Sequence, residues 1–174
     1  MAKVITTFDL GKLSRKLSKI VDDGLDSMAT RVNKRIQQGI DRGIDIKNKP
    51  FEPLGPARST MRGPGAKILD DEGRMRKTTL IKASAGGKHT AMIKMSGRRA
   101  KGKYVGALHN EGYTVTSGRF KGSSVPKRNW FGIPKDMKKG GKEYKIAVKL
   151  IMKDIETYAR PNPKRFREIY TYKN

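Results

Sequence analysis

The sequence contains no cysteine, one tryptophan, two histidines and only 16 acidic side chains in 174 residues. Without cysteine there is no disulfide framework and no thiolate zinc site, which fits synthesis in a reducing compartment. No apolar run approaches the roughly 18 residues that a membrane-spanning helix needs. The start, Met1-Ala2-Lys3-Val4-Ile5-Thr6, has no apolar signal segment either. A soluble protein made in the cytoplasm, without membrane association, is expected. Aromatics make up 7% and hydrophobic residues 35% of the chain, so the core is modest and much of the chain lies at the surface. This length suits one domain rather than two.

Positive charge is what the sequence has in excess: 40 Lys and Arg give a net charge of +24. Such a surplus repels itself unless it is dispersed, screened or set opposite an anion, and nucleic acid is the commonest such partner. The surplus is uneven. Residues 94–142 carry 13 basic and 2 acidic side chains, net +11, whereas 1–50, 51–93 and 143–174 carry +5, +4 and +4. Within that middle segment Arg98, Arg99, Lys101 and Lys103 crowd one loop, and Arg119 and Lys121 flank Phe120 in a Gly-bounded turn. These six are the expected contacts to DNA or to an acidic neighbour. A solvated loop with counter-ions is the plainer alternative.

Periodicity supplies the elements. Leu10, Leu13, Leu17, Ile20, Val21, Met28, Val32, Ile36, Ile40 and Ile44 recur at three- and four-residue spacing, which predicts a helix over about 9–46, N-capped by Thr7 or Asp9. At about 1.5 Å per residue it would be some 55 Å long, more than a small domain covers. Part of its stripe, at Ile36 and Ile40, is therefore expected at a subunit interface. Pro50–Gly65 reads as a connector, Lys67–Met75 as a turn closed by Gly73, and Met75–Lys82 and Thr90–Met95 as extended segments. Tyr104–Glu111 reads as a short helix ended by Gly112, Tyr113–Thr116 as a strand, and Ser117–Lys127 as a polar loop. Trp130–Pro134 is an apolar anchor, and Glu143–Tyr158 a final helix. The fold class expected is α+β: a long amino-terminal helix, a small mainly antiparallel sheet with basic loops, and a carboxy-terminal helix. One domain over 1–159 and an extended tail over 160–174 complete it.

No catalytic constellation is legible. His89 and His109 lack gathered carboxylates, and Asp70-Asp71-Glu72 would point in different directions on a helix. There is no phosphate-binding Gly-x-x-x-x-Gly-Lys-Ser/Thr loop and no Gly-x-Ser-x-Gly elbow. No enzymatic activity, cofactor or metal is expected.

Three segments in order carry a resemblance: Ile68-Leu69-Asp70-Asp71-Glu72-Gly73-Arg74-Met75, then Tyr104-Val105-Gly106-Ala107-Leu108-His109-Asn110-Glu111-Gly112, then Val125-Pro126-Lys127-Arg128-Asn129-Trp130-Phe131-Gly132-Ile133. With the long first helix and the Pro/Gly connector bearing Ser59-Thr60, this order resembles the phage virion morphogenesis family, the tail-completion proteins of the Mu G type. Val105 and Met75 replace the Ala and Leu favoured there. The resemblance implies structural roles for Gly73, Tyr104, His109, Gly112, Pro126, Arg128 and Trp130. It further implies a virion protein of the neck or upper tail, completing the tail or joining it to the head. The ring would be homo-oligomeric, six-membered by the same likeness, touching connector or adaptor proteins and tail terminator or tube proteins. Double-stranded DNA would pass through it without sequence preference. The alternative from charge alone is a non-specific nucleic-acid-binding protein concerned with packaging or the ribosome.

Overall fold

The computed structural model describes residues 5–8, 10–53, 77–83, 89–96, 99–100, 102–160 and 170–173. Gly73, Arg98, Lys101, most of the expected connector and the whole of the first motif lie outside the described residues.

The apolar stripe folds as expected into one long helix, α1 (Leu10–Arg42), about 50 Å from end to end. It stops four residues short of the expected boundary, and the reason is local. Gly43 adopts φ +70°, the Gly43 amide donates to the Ile40 carbonyl at 3.1 Å, and the Ile44 amide donates to the Gly39 carbonyl at 2.8 Å. This pair of bonds reverses the chain and satisfies carbonyls the helix end would otherwise leave open. Asp45 then accepts the amides of Lys47 and Lys49 at 2.7 and 2.8 Å, closing a tight loop that brings Phe51 back alongside the helix.

Ile36, Ile40, Phe51 and Trp130 form the buried core, with Val32, Met95 and Phe131 packed around it. This corrects one expectation. Ile36 and Ile40 are 3% and 1% exposed and are covered by their own chain, not by a neighbouring subunit. The periodicity places them on the right face, but their cover arrives from residues 11 and 90 positions beyond Ile40 in sequence, Phe51 and Trp130.

The chain is an α+β protein. Its strands form four separate two-stranded antiparallel ladders among the described residues, in place of one sheet. β1 (Ile5–Phe8) pairs with β8 (Tyr170–Lys173), so the segment expected as an extended tail returns to the start of the chain. β2 (Thr78–Ile81) and β3 (Met92–Met95) form a hairpin that lies on α1. β4 (Arg99–Ala100) pairs with β5 (Lys103–Tyr104), and after the short helix α2 (Val105–Glu111), β6 (Tyr113–Thr114) pairs with β7 (Ser124–Val125). The polar loop expected over 117–127 is mostly the closing turn of this hairpin, with only Ser124–Val125 of it in a strand. A 3-10 turn at Lys135–Met137 leads into α3 (Lys142–Ala159), which packs along α1.

The β2–β3 hairpin is held to α1 by polar groups. Asp26 accepts the Ala83 amide at 2.6 Å, and Thr78 donates to Asn33 at 2.6 Å while accepting from Gln37 at 3.3 Å. Asp22, on the same side, lies 2.9 Å from Nδ1 of His89. Spacings of 4, 7 and 4 residues keep these four polar side chains on one face.

Candidate nucleic-acid interface

The basic middle segment is built as two hairpins joined by α2. The β4–β5 ladder enters the helix directly at Tyr104, and β6 leaves it after Gly112. Seven helical residues span about 10 Å, so the roots of the two hairpins are held about that far apart.

The platform beneath them is assembled from the second and third sequence motifs. The Arg128 amide donates to the His109 carbonyl at 2.9 Å. Trp130 Nε1 donates to the Gly106 carbonyl at 2.8 Å, and the Phe131 amide donates to Asn110 Oδ1 at 3.1 Å. His109 is buried and meets the Tyr113 ring edge-on, with centroids 5.5 Å apart. Gly112, at φ +77°, brings α2 close to the end of β7 and the segment that follows it. A β-carbon there would sit 3.0 Å from the Lys127 amide nitrogen and 3.2 Å from the Val125 carbonyl, so a side chain is excluded on both counts. On its other side, the third motif laces to the α1 exit loop: the Ile46 amide donates to the Asn129 carbonyl at 2.9 Å.

Arg128 belongs to this platform and not to the charged surface. It is 3% exposed and its Nη2 donates to the Glu52 carbonyl at 3.3 Å. A buried guanidinium that donates to a backbone carbonyl fixes loops in place; it is not available to a phosphate. Pro126 precedes it, half-buried, at the end of β7.

Of the six expected contacts, three have described side chains, and all three are exposed. Lys103 extends from β5, with Nζ 3.2 Å from Glu111 at the end of α2. Because both partners are more than half exposed, this pair is worth little to stability, though it offsets one positive charge locally. Arg119 and Lys121 occupy the tip of the β6–β7 hairpin. Gly118 and Gly122, at φ +79° and +86°, bracket the tip. Lys121 donates to Gly118, Gly122 to Val115 and Ser123 to Phe120 through backbone amides at 3.0, 2.8 and 3.0 Å. The turn is thus a defined one presenting two cations to solvent. For Arg99 only the backbone is described, paired with Tyr104.

Sequence reasoning does not single out Lys138, Lys139 and Lys142, all exposed, at the start of α3. Helix amino termini carry the positive end of the backbone dipole, so cations there raise the local potential further. The available signal is the Lys138-Lys139 pair beside Gly140-Gly141.

Among the described residues no three or more His, Asp or Glu side chains gather as a metal site would need, and no helix is long and apolar enough to cross a membrane. What the arrangement can do is electrostatic: hold cations on short, well-anchored arms where they can meet phosphates or carboxylates. No family model matches the chain, and neither the curated proteins nor the solved structures give a match.

Proposed function

We propose that this chain is a structural protein of a tailed-phage virion that completes the tail or joins it to the head. In this reading several copies, six by the family likeness, form a ring in the neck or upper tail. The ring contacts connector or adaptor proteins on one side and tail terminator or tube proteins on the other, and genomic DNA passes through it. The chain acts by assembly and charge, without catalysis or cofactor.

The observation that carries this reading is the convergence of two motifs about 20 residues apart in sequence. The polar bonds between them all tie the loop at 128–131 to α2: Arg128 to His109, Trp130 to Gly106, Phe131 to Asn110. His109, Gly112, Arg128 and Trp130, which the family likeness casts as structural, make close contacts within the platform, while Lys103, Arg119 and Lys121 are exposed. Non-specific phosphate contact suits such cations, because a passing duplex must be neutralised without being read.

Disrupting the gene in a phage that carries it tests the proposal. Filled heads and separate, finished tails are expected, with joining restored when purified protein is added to the extract. Infectious particles formed normally without the protein would overturn it. Empty heads, or recovery of the protein on ribosomes, would favour the nucleic-acid-binding alternative.

A further inference from the structure

α1 and α3 run antiparallel: Arg31 lies 3.9 Å from Glu143 at one end, and Ile20 and Tyr158 line the same groove at the other. The helices approach closely at Gly24, against which Ile151 is seated. Beside this contact a groove of about 470 Å³ remains open between them. Its walls are apolar at Ile20, Met28 and Leu150, and Leu150 is 45% exposed, with Ile146 on the same flank 39% exposed. Its charged lining residues are the exposed carboxylates Asp23 and Asp154 and, at the end where it faces Glu143 at 3.9 Å, Arg31. On a chain of net charge +24, an apolar groove with an acidic rim is the exception to the prevailing surface.

A second region of the chain has the complementary character. The α3 helix ends at Ala159, close to Ile20, so the first ten residues of α1, about 15 Å of helix, run past it. This overhang, Leu10–Lys19, carries Lys12, Arg15, Lys16 and Lys19 and no acidic residue. Leu10, Leu13 and Leu17 share one of its faces; Leu10 is 68% exposed and the other two are half-buried.

We propose that the α1–α3 groove receives the Leu10–Lys19 overhang of a second copy of the chain. The leucines enter between Ile20, Met28 and Leu150, and the basic side chains meet Asp23 and Asp154. The occupant cannot be the same copy's overhang, because it is collinear with the helix that forms the groove wall. The two patches differ, so each copy offers one and accepts the other. A two-fold dimer would need the same two copies to exchange both contacts at once; otherwise such head-to-tail contacts generate a closed ring or a filament. Three leucines and four basic stems fall short of the roughly 800 Å² per partner of a standard interface; each contact is weak alone, and closure, which gives every copy two, is the stable form. The inference rests on the ring reading above and identifies the surfaces that would build it.

The absence of cysteine gives a clean cross-linking test on the full chain. Leu13→Cys and Leu150→Cys proteins, mixed and mildly oxidised, should form a one-to-one disulfide dimer at least fivefold above a control mixture of Leu13→Cys with Lys121→Cys. The double variant Leu13→Cys/Leu150→Cys should form a ladder of higher oligomers. Ser14→Cys, exposed and adjacent on the helix, replaces Leu13→Cys if that variant does not fold. Asp23→Lys with Asp154→Lys should reduce the mixed dimer at least fivefold. A mixed yield no higher than the control, or disulfide dimers of Leu13→Cys with itself predominating, would overturn the contact. Since the assay uses the purified chain alone, its failure removes this contact and leaves the head-to-tail joining experiment to judge the function.

Discussion

The two ends of α1 carry the same pattern and meet different fates. At the carboxy-terminal end, Ile36 and Ile40 are almost completely enclosed by Phe51 and Trp130. At the amino-terminal end, Leu10 is 68% exposed, and Leu13 and Leu17 are only half-covered. Helical periodicity states which residues share a face; it does not state what covers that face. The cover at one end is supplied by Phe51, from the loop just after the helix, and by Trp130, from a distant loop pinned there by the Trp130 and Arg128 hydrogen bonds. The other end has no comparable enclosure among the described residues. Stability is therefore concentrated in the half of the helix that carries the motif platform, and surface available for assembly is concentrated in the other.

The largest test of this contrast is Trp130→Ala, which should cost about 3–5 kcal/mol in chemical denaturation followed by circular dichroism. Ile40→Ala should follow at about 2–5 kcal/mol. A loss under about 1 kcal/mol for Ile40→Ala would break the contrast, since it would mean that this end is no better packed than the other. Trp130→Phe should cost about 1–3 kcal/mol, through loss of the indole hydrogen bond to the Gly106 carbonyl and of part of the ring packing. In the middle of the helix, Gly24→Ala sets a helix-propensity gain of about 1 kcal/mol against overpacking of about 1–3 kcal/mol, because the new methyl would stand well inside van der Waals separation from Ile151 Cγ1. Net destabilisation is expected, and adding Ile151→Ala should recover part of it, measured as a non-additive double-mutant cycle. Asp26→Ala should cost about 1–3 kcal/mol by orphaning the Ala83 amide, with Asp26→Asn largely retaining stability. At the small end, Leu10→Ala should change monomer stability by no more than about 0.5 kcal/mol. Arg119→Gln with Lys121→Gln should be equally silent in stability. It should flatten the salt dependence of DNA binding by about 0.9 for each phosphate no longer neutralised, and an unchanged slope would take the hairpin tip out of the interface.

How much of this is legible in the sequence follows from how local each determinant is. The long helix, the short helix before Gly112 and the closing helix are written in residue spacing, to within a few positions. The end of α1 is not, because Ile44 continues the apolar spacing although Gly43 has already reversed the chain. β1 is hidden because four residues, Ile5-Thr6-Thr7-Phe8, are too few to display alternation and their partner lies some 165 residues away. Ser124-Val125 merges into a polar loop for the same reason. At the candidate interface the density of cations is visible, but not that Arg128 is buried against a backbone carbonyl while Lys138 and Lys139 are exposed. Charge counting treats these residues alike, and only the packing around Trp130 separates them.

Burial of the chain's one tryptophan also decides what light can report. Trp130 is 2% exposed and its indole hydrogen is committed to a backbone carbonyl, so its excited state relaxes in a rigid, largely water-free surrounding. Emission should lie to the blue of free indole and move to the red as the core opens. Binding at the exposed hairpins or in the α1–α3 groove leaves that surrounding intact, so intrinsic fluorescence should follow unfolding while remaining nearly blind to DNA and to neighbouring subunits. Titrations of either partner need a probe placed elsewhere, and a change of tryptophan colour during one of them would mean that the core itself had moved.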